Sequence, residues 1–456
     1  MENPYASGQK KRPRGPRALG TTKRIEPATE VHLSTPPTAF DIPKVAVVYF
    51  VRCHIQGVDE RPSLLKHALD DLLPTLSSSG DVQIVDLAMS TLAMALFSRT
   101  HGLPHAEVQA FGKYQQLLQL LRMTLPNLNP GNVEACLLSV LLMCLYEDAI
   151  HRPAPNGSTV WAVQSSSHID GTIALLKFWK DHSAGKPASN LIKHARRAAL
   201  KWAMIRNVEA PDWLQDGAAF GEEGFELDYD RILIRLLKTR NALTSLIVKS
   251  VGIQPPSKEI DVLNKEAKDI DKALKDWTRN FPRRWCYRRH TIPEDYIVPK
   301  EHFYSREVYS YHSPAYAAVW LKYFQNRLLV NSTRLRILQL RGDSDTNCDI
   351  QAQQSECLAL IKAMTDELTA AVPFCLDKWK VEESSEEPVP KIKLNLKEDL
   401  QPNLAGLAIG ALTVVACLRH TPTDQKTWLK SQLLHIGTAC GYGLFESVVK
   451  DNWMQL

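Results

Sequence analysis

From about residue 44 onward, apolar residues recur three and four positions apart, the spacing of helices that bury one stripe. In "DVQIVDLAMSTLAMALFSR" (81–99) that stripe is Ile84, Leu87, Ala88, Thr91, Leu92, Ala95 and Leu96, with Gly80–Asp81 ahead of it as turn and cap. Pro104 starts the next helix, in which Val108, Phe111, Leu118, Leu121 and Leu125 are expected to point inward. "PNLNPGN" breaks the chain. "VEACLLSVLLMCLYE" is then apolar almost all round, which predicts a central core helix.

Further helices are expected over about 160–182, 189–206, 227–251 and 258–279, the last capped by Ser257 after "QPPS". A less regular aromatic and basic loop covers 281–312. Ser313 caps, and Pro314 opens, a long helix whose inner stripe is Tyr316, Val319, Trp320, Tyr323 and Leu328. The remaining helices fall near 349–372, 401–419 and 424–448, and "VEESSEEPVPK" (381–391) is a charged surface loop. No run of alternating strands, no Gly-x-Gly-x-x-Gly after a strand and no fixed-period repeat interrupts this pattern. The expected fold class is therefore all-α, a large multi-helix bundle behind a disordered basic N-terminal tail of residues 1–40. The body, 41–456, is either one domain with long connections or two lobes meeting near 209–225.

Composition adds a core and a charge asymmetry. The 456 residues are 44% hydrophobic, enough to bury one large core or two ordinary ones. Residues 1–44 hold eight basic residues against four acidic ones, and the rest of the chain holds 47 against 46. The positive field thus belongs to the tail, and the body has no bias toward polyanions. Nine cysteines are scattered without a Cys-x-x-Cys pair, several inside apolar runs, which fits a reduced, intracellular protein. The start is polar, with no apolar stretch behind the basic residues, so no secretory signal is expected. The longest apolar run, Leu404–Leu418, has 15 residues and falls short of the roughly 20 that span a bilayer, so no membrane partner is expected.

The tail carries the first candidate site. Lys10, Lys11, Arg12, Arg14 and Arg17 form one basic cluster, and Lys23–Arg24 a second about ten residues on. The spacing reads as a bipartite nuclear import signal for the acidic groove of an import receptor, with weak, unspecific DNA-backbone contact as the alternative. "PRGPR" comes near the Pro-Arg-Gly-Arg-Pro core that enters minor grooves, but Pro16 stands where the second arginine is needed.

The body offers little reacting chemistry. "RRWCYRRH" (Arg283–His290) interleaves arginine with aromatics, yet a loop that lays Trp285 on the core explains it as well. His101 and His105 have a metal-ligand spacing, but Gly102 and Pro104 between them make a turn. Glu147, Asp148 and His151 sit at a helix end. "SSSHIDG" (165–171) puts Ser, His and Asp side by side, whereas triads are assembled from distant segments. Asp70 and Asp71 lack the further carboxylate that a diphosphate-using helical enzyme needs for its metal ions. No catalytic residue, metal ligand or cofactor is expected.

Five segments, in order, resemble the regulatory domain of fungal-specific transcription factors, the family usually joined to a six-cysteine binuclear zinc cluster. "FDIPKVAVVYFVRCHI" (40–55) resembles its first core helix, and 88–122 its paired helices with an Arg-x-x-Gly turn at Arg99 and Gly102. "SSHIDGTIALLKF" (166–178) is similar through His168, Gly171, Leu175 and Leu176. "VYSYHSPAYAAVWLKYFQNRLLVN" (308–331) matches through Tyr311, Ala317, Trp320, Arg327 and Asn331, and 433–448 through Ile436, Gly437 and Gly441. The resemblance implies an all-helical nuclear regulator of transcription, often of metabolic gene clusters such as those of secondary metabolism, with no catalytic residues. Its partners would be transcriptional machinery or a DNA-binding protein, with a homodimer as a further option. Residues 1–50 contain no cysteine, so this stretch has no ligands for a zinc cluster. The tail then resembles the basic linker that follows such a cluster, which is expected either to be encoded upstream or to have been lost. The competing expectations are an all-helical enzyme taking a diphosphate or another small substrate, and an interaction scaffold with no role in transcription.

Overall fold

A computed structural model describes residues 41–56, 82–152, 166–183, 185–251, 254–341, 348–382, 391–397 and 400–449. The tail, with Lys10 to Arg24, lies outside these residues, as do Asp70, Asp71, the expected cap at Gly80–Asp81 and most of the 381–391 loop. Among the described residues there are thirteen α-helices. They are α1 (Ile42–Phe50), α2 (Val82–His101), α3 (Pro104–Thr124), α4 (Val133–Ile150), α5 (Ser166–His182), α6 (Asn190–Arg206) and the short α7 (Asp212–Gln215). The chain continues through α8 (Gly224–Lys249), α9 (Ser257–Arg279), α10 (Pro314–Gln339), α11 (Cys348–Cys375), α12 (Pro402–Cys417) and α13 (Thr423–Cys440). The described residues are thus overwhelmingly helical, as the spacing of apolar positions predicts.

Local chemistry explains most boundaries. Ser313 Oγ accepts from the Ala315 amide at 3.3 Å, and Pro314 occupies the first turn, where its missing N–H costs nothing. Ser189 caps α6 in the same way through the Ile192 amide. Ser257, by contrast, is already helical: Pro256 stands at the cap position and no side chain bonds the first turn there.

Two helices anchor the core. α4 buries Val133, Ala135, Cys136, Leu137, Leu138, Val140, Leu142, Met143 and Tyr146, as its all-round apolarity requires. In α10 the expected stripe holds only in part, since Tyr316, Val319 and Trp320 are half-buried. Instead, every residue from Tyr323 to Leu335 is buried, because α9, α11 and α12 all pack on it. On α3 the expected inward stripe holds only in part: Leu121 is buried and Leu118 half-buried, but the buried face is rotated toward the alanines. Ala106, Ala110, Leu117 and Leu121 are buried, whereas Val108, Phe111 and Leu125 are exposed by 69%, 55% and 45%. α3 lies close against α2, whose buried residues include Ala88 and Ala95, and a close crossing selects the small-residue stripe.

Two four-residue hairpins also appear where loops were expected. β1 (Arg288–Thr291) pairs antiparallel with β2 (Glu307–Ser310), and β3 (Trp379–Glu382) with β4 (Lys391–Leu394). They share a small apolar cluster of Ile292, Phe303, Val308 and Trp379, separate from the main core. Residues 209–225 hold α7 and a 3-10 turn at Ala218–Phe220, pinned from α6 by Arg196. That fully buried guanidinium donates to the carbonyls of Leu214 and Gln215 and pairs with Asp230 at 2.7 Å. All nine cysteines are free thiols. Among the described residues one helix, α2, is long and apolar enough to cross a membrane, and 56% of its most apolar window is buried inside the fold.

Candidate functional site

The residues singled out by sequence pattern are tertiary clamps. Arg327 and Asn331, one turn apart on α10, converge on Asp271 of α9. Arg327 Nε donates to Oδ1 at 2.8 Å and Nη2 to Oδ2 at 3.2 Å, while Asn331 Nδ2 reaches Oδ1 at 2.9 Å. Lys275 adds a fourth donor group at 2.8 Å. Burial pushes the Asp271 carboxyl up, but the bonds from Arg327, Lys275 and Asn331 outweigh it and hold the acid below its ordinary range. Trp320 donates its indole N–H to the Trp285 carbonyl at 2.7 Å and sits in a cluster with Phe281, Tyr287 and Phe324.

His168 of α5 meets Tyr114 of α3 and Glu147 of α4. Its Nε2 is 2.9 Å from the Tyr114 hydroxyl and 3.0 Å from Glu147 Oε1. Burial and the neighbouring carboxylate keep the Tyr114 hydroxyl protonated, so it donates to Glu147 at 3.0 Å. Arg99, at the end of α2, is ion-paired with Glu446. Gly102 turns the chain from α2 into α3 at φ +64°. Gly171 lies over Val140 in ordinary contact distance. Gly437 faces Phe445, and Gly441 ends α13 at φ +82° against the backbone of Leu96.

The weaker sequence candidates are spent on structure in the same way. His101 and His105 bond to the Phe97 carbonyl and to Gln109, on either side of the Gly102 turn. In "RRWCYRRH" Trp285 stacks on Tyr316, Tyr287 stacks on Tyr309, and Arg289 pairs with Glu367. Among the described residues no three His, Cys, Asp or Glu side chains are grouped to hold a metal ion.

The fold also gathers a group that the sequence reading did not single out. His194, Arg197 and Lys201 lie at i, i+3 and i+7 on α6, opposite its buried face of Leu191, Ile192, Ala195, Ala199 and Leu200. Lys201 reaches across to α12, where a methyl placed on Gly410 would lie 2.6 Å from its Nζ and one placed on Gly406 would meet nothing within 4 Å. Lys322 projects from α10, on the face that also carries Ala315 and Ala318. Asn403, one turn before Gly406 on α12, has a buried Oδ1 with no hydrogen-bond partner.

All three of His194, Lys201 and Lys322 are exposed to water, yet the surrounding helices strip much of their hydration. Burial, then repulsion from Lys322, lowers Lys201 to about 8. Burial, then Lys322, Arg197 and Lys201, lowers His194 to about 4, so the imidazole is neutral at pH 7. Burial and Arg197 lower Lys322 as well. Asp148 of α4 acts on Lys201, and Glu226 of α8 on Lys322, in the opposite sense. Arg197 is already committed to Glu222 and to Glu226, the latter at 2.6 Å. The sequence signal was present in the spacing of His194, Arg197 and Lys201, which reads as an ordinary wet face.

Compared with known proteins, the chain matches no family model, no curated protein and no solved structure.

Proposed function

We propose that this chain is a regulator of transcription of the fungal helical type, acting in the nucleus through protein contacts made by its helical body. One observation carries the reading. Several residues of the family-like pattern, scattered from Arg99 to Gly441, make contacts that lock distant helices together. Arg327 and Asn331 hold α9 to α10, and His168 joins α5 to α3 and α4. Arg99 and Gly441 fasten the end of α2 to the segment closing the fold. A pattern that arose by chance in a helical sequence would leave many of these side chains on the surface.

The basic residues Lys10, Lys11, Arg12, Arg14, Arg17, Lys23 and Arg24 serve as the import address in this reading. The test has two arms. A fluorescent fusion of the whole chain is expected in nuclei, and replacing those seven residues by Ala is expected to release it to the cytoplasm. Tethered to a foreign DNA-binding module, the chain is expected to raise or lower a reporter whose promoter carries the matching site. A fusion excluded from nuclei and a silent reporter together overturn the proposal.

A second reading, an all-helical enzyme taking a diphosphate or other small substrate, draws on Lys201, whose lowered proton affinity suits a lysine that exchanges protons near neutral pH. Turnover of inorganic pyrophosphate by the purified chain would favour it.

A further inference from the structure

We propose that Arg240, Arg336 and Arg419 together bind a compact oxyanion of the phosphate class, beside the turn that joins α12 to α13. The inference does not depend on a role in transcription. A chain that binds phosphate but leaves a tethered reporter unchanged keeps this proposal and loses the other.

Arg240 is a buried charge without its counterpart. Four arginines are buried among the described residues. Three of them have a carboxylate: Arg196 pairs with Asp230 at 2.7 Å, Arg327 with Asp271 at 2.8 Å and Arg334 with Glu356 at 2.9 Å. Arg240, on α8 and 5% exposed, has no carboxylate among the described residues. Its Nη1 donates to Thr333 Oγ1 of α10 at 3.4 Å, a long contact, and that hydroxyl itself donates to the Leu329 carbonyl at 2.8 Å. Its Nε is buried with no hydrogen-bond partner. Burial and Arg336 lower the guanidinium to about 10, which still leaves it charged at pH 7. A buried charge in that position is costly until an opposite charge completes it.

The neighbours add positive charge and no negative charge. Ser332, Thr333 and Arg336 lie within about one turn of α10, on one side of it. Ser332 Oγ is 3.3 Å from His420 Nδ1, which brings the turn after α12, and Arg419 with it, to the part of α10 that Arg240 meets. Arg336 is half-buried and Arg419 exposed, and among the described residues neither forms an ion pair. After burial, the next influence on Arg336 is repulsion from Arg419. Burial, then Arg419, Arg336 and Lys426, lowers His420, so its imidazole is neutral at pH 7 and free of a competing charge. Lys426 is committed to the Leu418 carbonyl at 2.8 Å. The passage from buried Arg240 through half-buried Arg336 to exposed Arg419 gives an ion a route in from water.

The arrangement also limits the ligand. A planar carboxylate is satisfied by one guanidinium fork. Here the forks come from α8, from α10 and from the turn after α12, which suits a tetrahedral group whose oxygens point in several directions. With no acid to offset three arginines, a dianion fits better than a single charge. Three arginines make a point site and not the extended basic track that a nucleic acid backbone needs.

The test is calorimetric titration of the whole purified chain at pH 7 with inorganic phosphate and, separately, citrate, against sodium chloride at matched ionic strength. Saturable binding of phosphate is expected, with citrate weaker. Arg240→Met and Arg336→Gln are each expected to weaken phosphate binding by about tenfold or more, while Lys258→Gln, on the exposed start of α9, leaves it unchanged. Melting gives a second readout. Arg240 has no acid to abandon, so Arg240→Met is expected to melt at or above the parent in chloride alone. Added phosphate is expected to raise the melting temperature of the parent and not that of Arg240→Met. Should Arg240→Met fail to fold, Arg336→Gln, at a half-buried side chain, carries both measurements. Phosphate heat no different from that of chloride, citrate bound more tightly than phosphate, or phosphate binding equal in the parent, Arg240→Met and Arg336→Gln, would overturn the proposal.

Discussion

Arg327 and Asp271 form a two-pronged ion pair in which both side chains are more than nine-tenths buried. Such a pair owes its stability to completeness, because each charge has lost its water and depends on the other. Arg327→Ala is expected to destabilise the fold by about 3–5 kcal/mol, and Asp271→Ala by a similar amount. Replacing both together by Ala should cost less than the sum of the two single losses. Denaturant titration of the four proteins, read as a double-mutant cycle, measures that coupling.

The same pair predicts an acid transition. Asp271 has its carboxyl held below the ordinary range in the folded chain, so it stabilises the fold above the unfolded value near 3.9 and loses that contribution as pH falls through the lowered one. Arg327→Met removes the main partner and should move acid unfolding, followed by circular dichroism, to higher pH.

His54 predicts a second, milder dependence. It stacks on Phe50 at 5.4 Å, its Nε2 is buried without a partner, and burial lowers it to about 4. Between about 6.5 and about 4 the unfolded chain binds this proton and the folded chain does not, so stability rises with pH across that window. His54→Leu should flatten the rise in melting temperature between pH 4.5 and 6.5 (a range set by those two values) without lowering the plateau above it.

Three glycines should respond to alanine with different signs. Gly437→Ala would put its methyl 2.5 Å from the Cβ of Phe445, and Gly441→Ala would place one 2.9 Å from the Leu96 carbonyl at a φ of +82°. Each is expected to cost more than about 1 kcal/mol. Gly406→Ala, inside a helix and facing open space, should instead stabilise by roughly 0.5–1 kcal/mol. Thermal unfolding of the three variants checks the order.

How much of this was legible in the sequence differs from element to element. The start of α10 was readable because Ser313 and Pro314 act within a few residues of themselves, and α4 because its apolarity leaves no wet face. The inward face of α3 was legible only in part, since Leu121 belongs both to the expected Val108–Phe111–Leu118–Leu121–Leu125 stripe and to the Ala106–Ala110–Leu117–Leu121 stripe that is buried. Only the close approach of α2 decides between them. The two hairpins escaped notice because four residues are too few for an alternating pattern to stand out. Arg327 and Asn331 were singled out by the family resemblance, yet Asp271, the acid they hold, lies on another helix with nothing local to mark it.

The pairing of β3 with β4 has a practical consequence. Glu382 and Lys391 are opposed across the ladder, so the stretch joining them leaves and re-enters the protein at neighbouring points. Closing a longer connection between fixed ends costs only about 0.6 kcal/mol for each doubling of its length. Evolution, or an experimenter placing a tag or a cleavage site, can therefore rewrite that connection freely, and the packing of α12 on α10 together with the β3–β4 pairing would keep the two pieces of a severed chain together.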